Sequence, residues 1–517
     1  MANTQLFQTL PAQVRTAATV NEAGGRAYVF DPKHALAQYA MTGCLSGTYY
    51  ADAATQLERT LEFACAAGPE FTAKVALYAR QRGHMKDMPA LLCAALSVLD
   101  GRILETVFPR VCDDAKMIRN FVQIVRSGAV GRRSLGTLSK RLVQQWLASL
   151  SDRQLLAATV GQSPSLADVV RMVHPRPADP ARSAFYGWLL NRPHDASALP
   201  SCVREYTAFQ RGESREVPEV PYQMLTSLPL GKPGWTEIAR RASWQMTRMN
   251  LNAFARHGVF ENARMTRLVA DRLRDPALVR SAKVFPYQLM VAHAQAGPEV
   301  PAMVRDALRL AMESALENVP AIRGRVVVCP DVSGSMQSPV TGLRHGATSV
   351  VRCIEVAALV AASLVRRNRH AVLLPFSDDV VPVELDPEAS VLVNARILAE
   401  LPSGGTDCSA PLRNLNERRY QANLVVLVSD NQSWVDGPCG GRGTDTMAQW
   451  RIFRSRNPAA RLVCLDVQPY ASTPAAERDD ILNVGGFSDS VFDILARFAH
   501  DEITPAHWVG EIESLAL

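Results

Sequence analysis

Hydrophobic periodicity changes near residue 325 of this 517-residue chain, and that change limits the possible folds more than any other feature. Upstream, apolar residues recur at helical spacing. Residues 53–67, 71–83, 87–99 and 102–111 read as short amphipathic helices punctuated by Gly, Pro or Asp. Residues 115–127, 134–150, 165–173 and 183–190 continue the pattern. A Pro-rich stretch, 216–233, forms a long connection, and helices resume at 235–257, 265–273, 276–281, 286–295 and 301–318. Strand alternation is lacking. Helix after helix with short loops predicts antiparallel helix pairs. A superhelical stack of such pairs is compatible with this, although no repeat is legible in the residues themselves.

Downstream, apolar runs alternate with helical segments. RVVVCP (325–330), AVLLPF (371–376), NLVVLVS (423–429) and RLVCLD (461–466) read as buried parallel strands, with 380–385 as a candidate edge strand. Helices are expected at 349–367, 389–400, 409–420, 446–456 and 488–498. This order predicts a doubly wound α/β domain.

Formal charge divides at the same place. Residues 1–325 hold 40 Lys+Arg against 27 Asp+Glu, a balance of +13; the remainder holds 16 against 23, a balance of −7. A basic module joined to an acidic one points to a polyanionic partner for the first. The longest strongly apolar run, 356–365, falls well short of the roughly 20 residues that a bilayer span needs. The first residues, MANTQLFQTLPAQVR, show no apolar signal segment. Ten cysteines without any C-x-x-C pair read as buried thiols in a reducing compartment. The expectation is a cytoplasmic protein with no membrane partner.

The sharpest chemistry falls at the strand ends. Asp331-Val-Ser333-Gly-Ser335 follows the first strand, Gly404-Gly-Thr406-Asp opens a helix, and Asp430 follows the 423–429 strand. Ligands of an open α/β sheet bind outside the carboxyl ends of its strands, where these segments would meet. Ser333, Ser335, Thr406, Asp331 and Asp430 are all hard oxygen donors, a set suited to a divalent cation such as Mg²⁺. So few carboxylates leave a coordination position open to a partner's acidic group. Asp and Ser after strands also cap helices, so D-x-S-x-S alone stays open; Thr406 and Asp430 in matching contexts favour the metal. The pattern resembles the metal-ion-dependent adhesion site of von Willebrand factor A domains. That resemblance implies direct metal contact by Ser333, Ser335 and Thr406, with Asp331 and Asp430 acting directly or through water.

No G-x-S-x-G elbow, P-loop or H-E-x-x-H is present, and no nucleophile–base constellation stands out, so the chain is not expected to be an enzyme. In the basic module, Arg119, Arg126, Arg132, Arg133, Lys140 and Arg141 cluster between positions 119 and 141. Gly128 and Gly131 break the helix there, and Ser134 is the expected cap of the next. On that next helix Leu135, Leu138, Leu142 and Trp146 form an apolar stripe flanked by Lys140 and Arg141. Such cations can hold phosphates, with Gln144 and Gln145 near sugars or bases, or can simply be a solvated face. A second basic run, Arg240, Arg241 and Arg248, is interleaved with Trp235 and Trp244, which read as packing residues.

The segment RSGAVGRRSLGTLSKRLVQQW (126–146), together with MKDMPALL, WQMTRMNLN and VFPYQLMVAHA, resembles the helical TROVE module of the sixty-kilodalton Ro autoantigen family. GGTDCSAPL and VSDNQSW resemble that family's A domain, and the likeness covers nearly the whole chain. It implies a multidomain protein: an all-α HEAT-like helical-repeat ring over 1–324, and an α/β doubly wound von Willebrand factor A domain over 325–517. It implies binding of small noncoding Y RNAs and of misfolded RNA 3′ ends, and joint action with a 3′ exonuclease such as polynucleotide phosphorylase. His174 falls where the family carries an RNA-contacting His, which with Arg126, Arg132, Arg133, Lys140 and Arg141 completes the expected RNA-binding set. Residues 155–161 (LLAATVG) lack the cations of vertebrate members. The alternative function is a metal-dependent adaptor whose A domain docks an acidic protein partner.

Overall fold

Strand β3 (Val326–Pro330) is buried along its whole length and anchors a five-stranded parallel sheet in the computed structural model. The structure describes residues 16–517 except 18, 44, 227, 283–285, 316–318, 320, 341–350, 387–388, 435–442, 488 and 504–506. The expected helix positions 316–318, 349–350 and 488 therefore lie outside the described residues. The other strands are β4 (Val372–Leu373), β5 (Leu424–Ser429), β6 (Arg461–Asp466) and β8 (Ile481–Gly485), in the order β4-β3-β5-β6-β8. Strand order reverses beside β3: β4 lies on one side and β5 on the other. The switch point of the sheet is therefore the crevice beyond the carboxyl ends of β3 and β5. Helices Cys353–Arg367, Val391–Ala399, Ala410–Glu417, Asp445–Arg456 and Asp489–Ala499 alternate with these strands. Val327, Leu427, Leu462, Trp450 and Phe453 share one continuous core. Near-uniform burial explains why β3, β5 and β6 read as apolar runs rather than alternating ones.

Two chain units emerge: residues 1–63 with 316–514, and residues 64–315 with 515–517. The expected boundary at 324/325 lies close to one of these divisions. Segment 1–63, however, groups with the sheet unit and not with the helical one. It carries β1 (Thr19–Val20) and β2 (Arg26–Val29), which form a small antiparallel sheet with β7 (Ser472–Thr473). So the chain before 325 is not helical throughout. Tyr28 enters the core of the parallel sheet, and the helix Pro32–Thr42 is buried from His34 to Thr42. That burial hides both elements from a search for amphipathic patterns.

Other departures have local causes. Residues 380–385 form no strand; only a bridge links Phe376 and Val380. The run 371–376 shrinks to two strand residues because Pro330, on the side of β3 that faces it, has no N–H to give Leu374 O, although Leu374 and Phe376 still donate to Val328 and Pro330. The expected helix over 235–257 is three helices, Lys232–Arg241, Trp244–Met249 and Leu251–Arg256. Ser243 takes an extended conformation and accepts from Met246 N at 3.2 Å, starting the second of them. β8 escapes the sequence reading, since Asn483 interrupts its apolar run; that amide is satisfied by Thr473 and Ala475.

In the helical unit, Ala115–Ser127 buries Met117, Ile118, Phe121, Val122 and Val125, and ends at Gly128 in the left-handed conformation. The following helix is Gly136–Ser149, preceded by Leu135 and not capped by Ser134. Its buried face is Ser139, Leu142, Val143 and Leu147; Trp146 is only half-buried. Among the described residues no helix is long and apolar enough to cross a membrane.

Candidate functional site

At the switch point, Asp331 continues the β3 ladder: its N–H donates to Val428 O at 2.9 Å. Its carboxylate accepts from Ser333 N at 2.8 Å and from Ser429 Oγ at 2.5 Å, so both oxygens are oriented. Ser333 Oγ and Ser335 Oγ lie 3.3 Å apart. Gly334 N donates to Gly404 O at 2.9 Å, which ties the D-x-S-x-S turn to the Gly404–Gly405–Thr406 loop. A Cβ on Gly405 would stand 2.2 Å from Trp434 Nε1 and 2.3 Å from Asp378 Oδ1. A side chain there would push Trp434 or Asp378 aside. Thr406 is buried, and its carbonyl accepts from Ser433 Oγ and Trp434 N, both at 3.2 Å. Asp430 follows β5 and is itself buried. All five oxygen-donor residues named from the sequence are thus buried in the loops of one crevice.

The electrostatics of the crevice are unusual. Burial pushes Asp331 up to about 7, and the neighbouring Asp430 adds to the shift. Burial raises Asp430 as well. Asp466, at the end of β6, is raised by burial and then by Asp430. Its Oδ2 accepts from Gln38 Nε2 at 2.8 Å, while its Oδ1 has no partner among the described residues. Among the described residues no Lys or Arg pairs with any of these three carboxylates. Asp407, next in sequence to Thr406, is different: Arg413 pairs with it and Ser409 Oγ donates to it, so it belongs to the helix that follows. Buried charge without a counter-charge is costly, and a proton or a bound cation relieves it. Sequence reading misses Asp466, although a carboxylate ending a strand-like run is a usable signal. Among the described residues no cluster of three or more His, Cys, Asp or Glu is arranged around a metal position; this donor set is mainly hydroxyl.

The basic residues behave less uniformly. Lys140, Arg141 and His174 line one groove of about 600 Å³, together with Arg176, Arg182, Gln145 and Tyr186, and no carboxylate lines it. Gln144 Nε2 donates to Val173 O at 2.5 Å, which draws the 173–177 turn against the helix. His174 ends the helix Leu166–Val173 in the left-handed conformation, with its side chain exposed. Gln144 thus ties this turn in place and also lines the groove. Arg141 pairs with Glu105 at 2.8 Å, and Arg182 donates to Leu147 O and Leu150 O.

The other three expected RNA-binding residues do not line the groove. Arg132 folds back, donating to Ser134 O at 2.9 Å and Ser97 O at 3.0 Å. Arg133 lies over Gly128. Arg126 reaches the Met172 sulfur at 2.7 Å. Arg176, two positions past His174, escapes the sequence reading because it stands outside the 119–141 cluster. Both tryptophans of the second basic run are packing residues. Trp244 Nε1 donates to Leu273 O at 3.0 Å, and Trp235 stacks on His257.

Residues 325–499 match the family model described as the Ro60 vWA domain. The chain is 24% identical to the RNA-binding protein RO60 of Deinococcus radiodurans over 93% of this chain and 95% of that one. It is 23% identical to the RNA-binding protein RO60 of Caenorhabditis elegans over 50% of this chain and 41% of that one. The crystal structure of the Deinococcus radiodurans RO (RSR) protein has the same fold, with a TM-score of 0.62 at 19% identity over 92% of this chain and 100% of that chain.

Proposed function

Since the chain is Ro60-like along nearly its whole length, we propose that it binds RNA through the basic groove of its helical unit. The observation that carries this reading is the groove lining: Lys140, Arg141, Arg176 and Arg182 beside His174, without a carboxylate. Lys140 and Arg176 make no ion pair among the described residues, which leaves their charge for phosphate. His174 offers a ring face, and Gln145 an amide, to a base or sugar. We assign the RNA to the Y RNA and misfolded-RNA class, held by its 3′ end. The chain delivers it to a 3′ exonuclease of the polynucleotide phosphorylase type and leaves its length unchanged when alone. The protein works in the cytoplasm, where its buried thiols stay reduced.

The crevice fits a hard divalent cation, Mg²⁺ by preference. Asp331 and Asp430 are buried without a counter-charge among the described residues, and hydroxyl oxygens surround them. Ser333, Ser335 and Thr406 would hold the ion, with Asp331 and Asp430 as its charge partners. A bound ion would supply a positive centre for an acidic partner group. Ser429 and Ser333 N keep the Asp331 carboxylate aimed, and Gly404 O holds the serine turn in place. This supports a second, compatible role as a metal-dependent adaptor, with Trp434, 55% exposed beside the Gly405 loop, at the rim of the docking face.

A gel-shift titration tests the primary reading. One probe is a structured small RNA with a single-stranded 3′ tail; the other is the same RNA with a blunt end. Tight, salt-sensitive, tail-dependent binding is expected. Absence of binding to both probes overturns the RNA reading and leaves the adaptor.

A further inference from the structure

Segment 1–63 does more than cover the sheet unit, because it reaches the proposed metal crevice itself. Asn21 Nδ2 donates to Ser433 O at 2.6 Å, and Glu22 N to Gln432 Oε1 at 2.9 Å. Gly25 lies so close to Ser433 that a Cβ would stand 2.0 Å from its carbonyl oxygen. These contacts fix the β1–β2 turn on the loop that carries Asp430. The segment then returns to the crevice. Thr48 N donates to Ala51 O at 2.8 Å, and Ala51 N to Thr48 Oγ1 at 3.2 Å, closing a tight turn with Tyr49 and Tyr50 at its tip. Tyr49 is exposed. Tyr50 is partly buried, with its ring edge-on to Tyr470 at 5.9 Å and to Tyr49 at 4.7 Å. Its hydroxyl interacts with the Ser335 hydroxyl and lies in the field of both Asp430 and Asp331.

We propose that Tyr50 is the built-in occupant of the ligand-facing side of this crevice, and that an acidic partner group reaches the metal only when the 48–51 turn swings away. The proposal rests on the metal reading given above. Three features support it. The serine Tyr50 touches is one of the two hydroxyls that would hold the ion. A phenol is neutral at physiological pH, so it can sit against a carboxylate-bearing site without adding charge. The turn is closed by short local bonds between Thr48 and Ala51 and tied to the rest of the unit through Gln56 Nε2 on Thr48 Oγ1 at 3.4 Å and through Tyr470; breaking those two ties lets it open as a unit while the Asn21–Ser433 clasp holds the rest of the segment. The assigned occupant that displaces Tyr50 is a carboxylate-bearing protein segment.

The test uses the full chain with Mn²⁺ as a paramagnetic probe and acetate as the carboxylate. Electron paramagnetic resonance reads Mn²⁺ affinity, and water-proton relaxation reads the open positions on the bound ion. Expected for Tyr50→Ala is unchanged Mn²⁺ affinity, more exchangeable water, and tighter acetate binding. If the turn is closed about nine-tenths of the time, acetate tightens about tenfold. Tyr50→Phe keeps the ring against Tyr470 but loses the hydroxyl, and gives a smaller gain in the same direction. Thermal unfolding of each variant confirms that the sheet unit is intact. Equal acetate affinity in parent and Tyr50→Ala, with Mn²⁺ still bound, overturns the occupant role and leaves the metal site standing. Weaker Mn²⁺ binding in Tyr50→Ala, without an acetate gain, overturns it in favour of a ligand or brace. Failure of the parent and every variant to bind Mn²⁺ overturns the metal reading itself, and this proposal with it.

Discussion

The two groove cations without an ion-pair partner among the described residues give the most discriminating test of RNA binding. Lys140 and Arg176 line the same groove, and their charge is free of any described carboxylate. A Lys140→Ala, Arg176→Ala double variant removes two phosphate contacts. Each contact contributes about 0.7 to the slope of log affinity against log salt for single strands, and about 0.9 for duplex. The slope should therefore fall by about 1.4–1.8 in magnitude. Raising salt fourfold, from about 50 to about 200 mM, then shrinks the parent's advantage about tenfold, because a slope difference of about 1.6 acts over about 0.6 log units. Fluorescence anisotropy titrations of a tailed RNA across that range measure both lines. The control is Arg132→Ala, whose guanidinium is committed to Ser134 O and Ser97 O and should leave the slope unchanged. Parallel lines for parent and double variant would refute the groove as the phosphate site. A flattened line for Arg132→Ala would show that its folded-back conformation is not the one RNA meets.

Three further outcomes follow from the geometry. Mg²⁺ at about 100 times its Kd should raise unfolding free energy by about 2.7 kcal/mol, and Asp430→Asn should abolish that shift while remaining stable in EDTA; a Mg²⁺ shift that survives the substitution refutes the site. Gly25→Ala places a methyl against the Ser433 carbonyl and should cost about 1–3 kcal/mol, read by urea unfolding; an unaffected midpoint contradicts the close approach. Trp244→Phe removes the bond to Leu273 O and should cost about 1 kcal/mol with no change in the RNA salt slope; weaker RNA binding would give Trp244 the stacking role denied to it here.

What is legible in the sequence divides along a physical line. Asp331, Ser333, Ser335, Thr406 and Asp430 can be placed because strand ends of a parallel sheet converge, and the runs before Asp331 and Asp430 are apolar enough to be strands. Their chemistry is local in sequence and their meeting point is dictated by topology. The basic cluster is harder. Spacing shows that Arg132 and Arg141 are near in sequence, but not that one bends onto Ser97 O while the other faces the groove. Arg176 joins the groove through the Gln144–Val173 bond, a tertiary contact with no sequence signature. Tyr50 is invisible for the same reason: nothing local links a Gly-Thr-Tyr-Tyr turn to a loop so far along the chain. The helix Pro32–Thr42 fails in the opposite way, since being buried nearly all round it shows no amphipathic stripe.

The division of the chain also bears on how it is made. The sheet unit is assembled from segments 1–63 and 316–514, so the intervening segment 64–315 is in effect a domain inserted into another. At a synthesis rate of about 5–20 residues per second, the opening segment waits roughly 13–50 s before its partner strands begin to emerge. During that interval Tyr28 and the apolar helix Pro32–Thr42, both destined for the sheet unit, have no native surface to cover them. The inserted helices, whose contacts are nearer in sequence, are complete first. Early handling of the nascent chain is therefore a problem of its opening strand and its first helix.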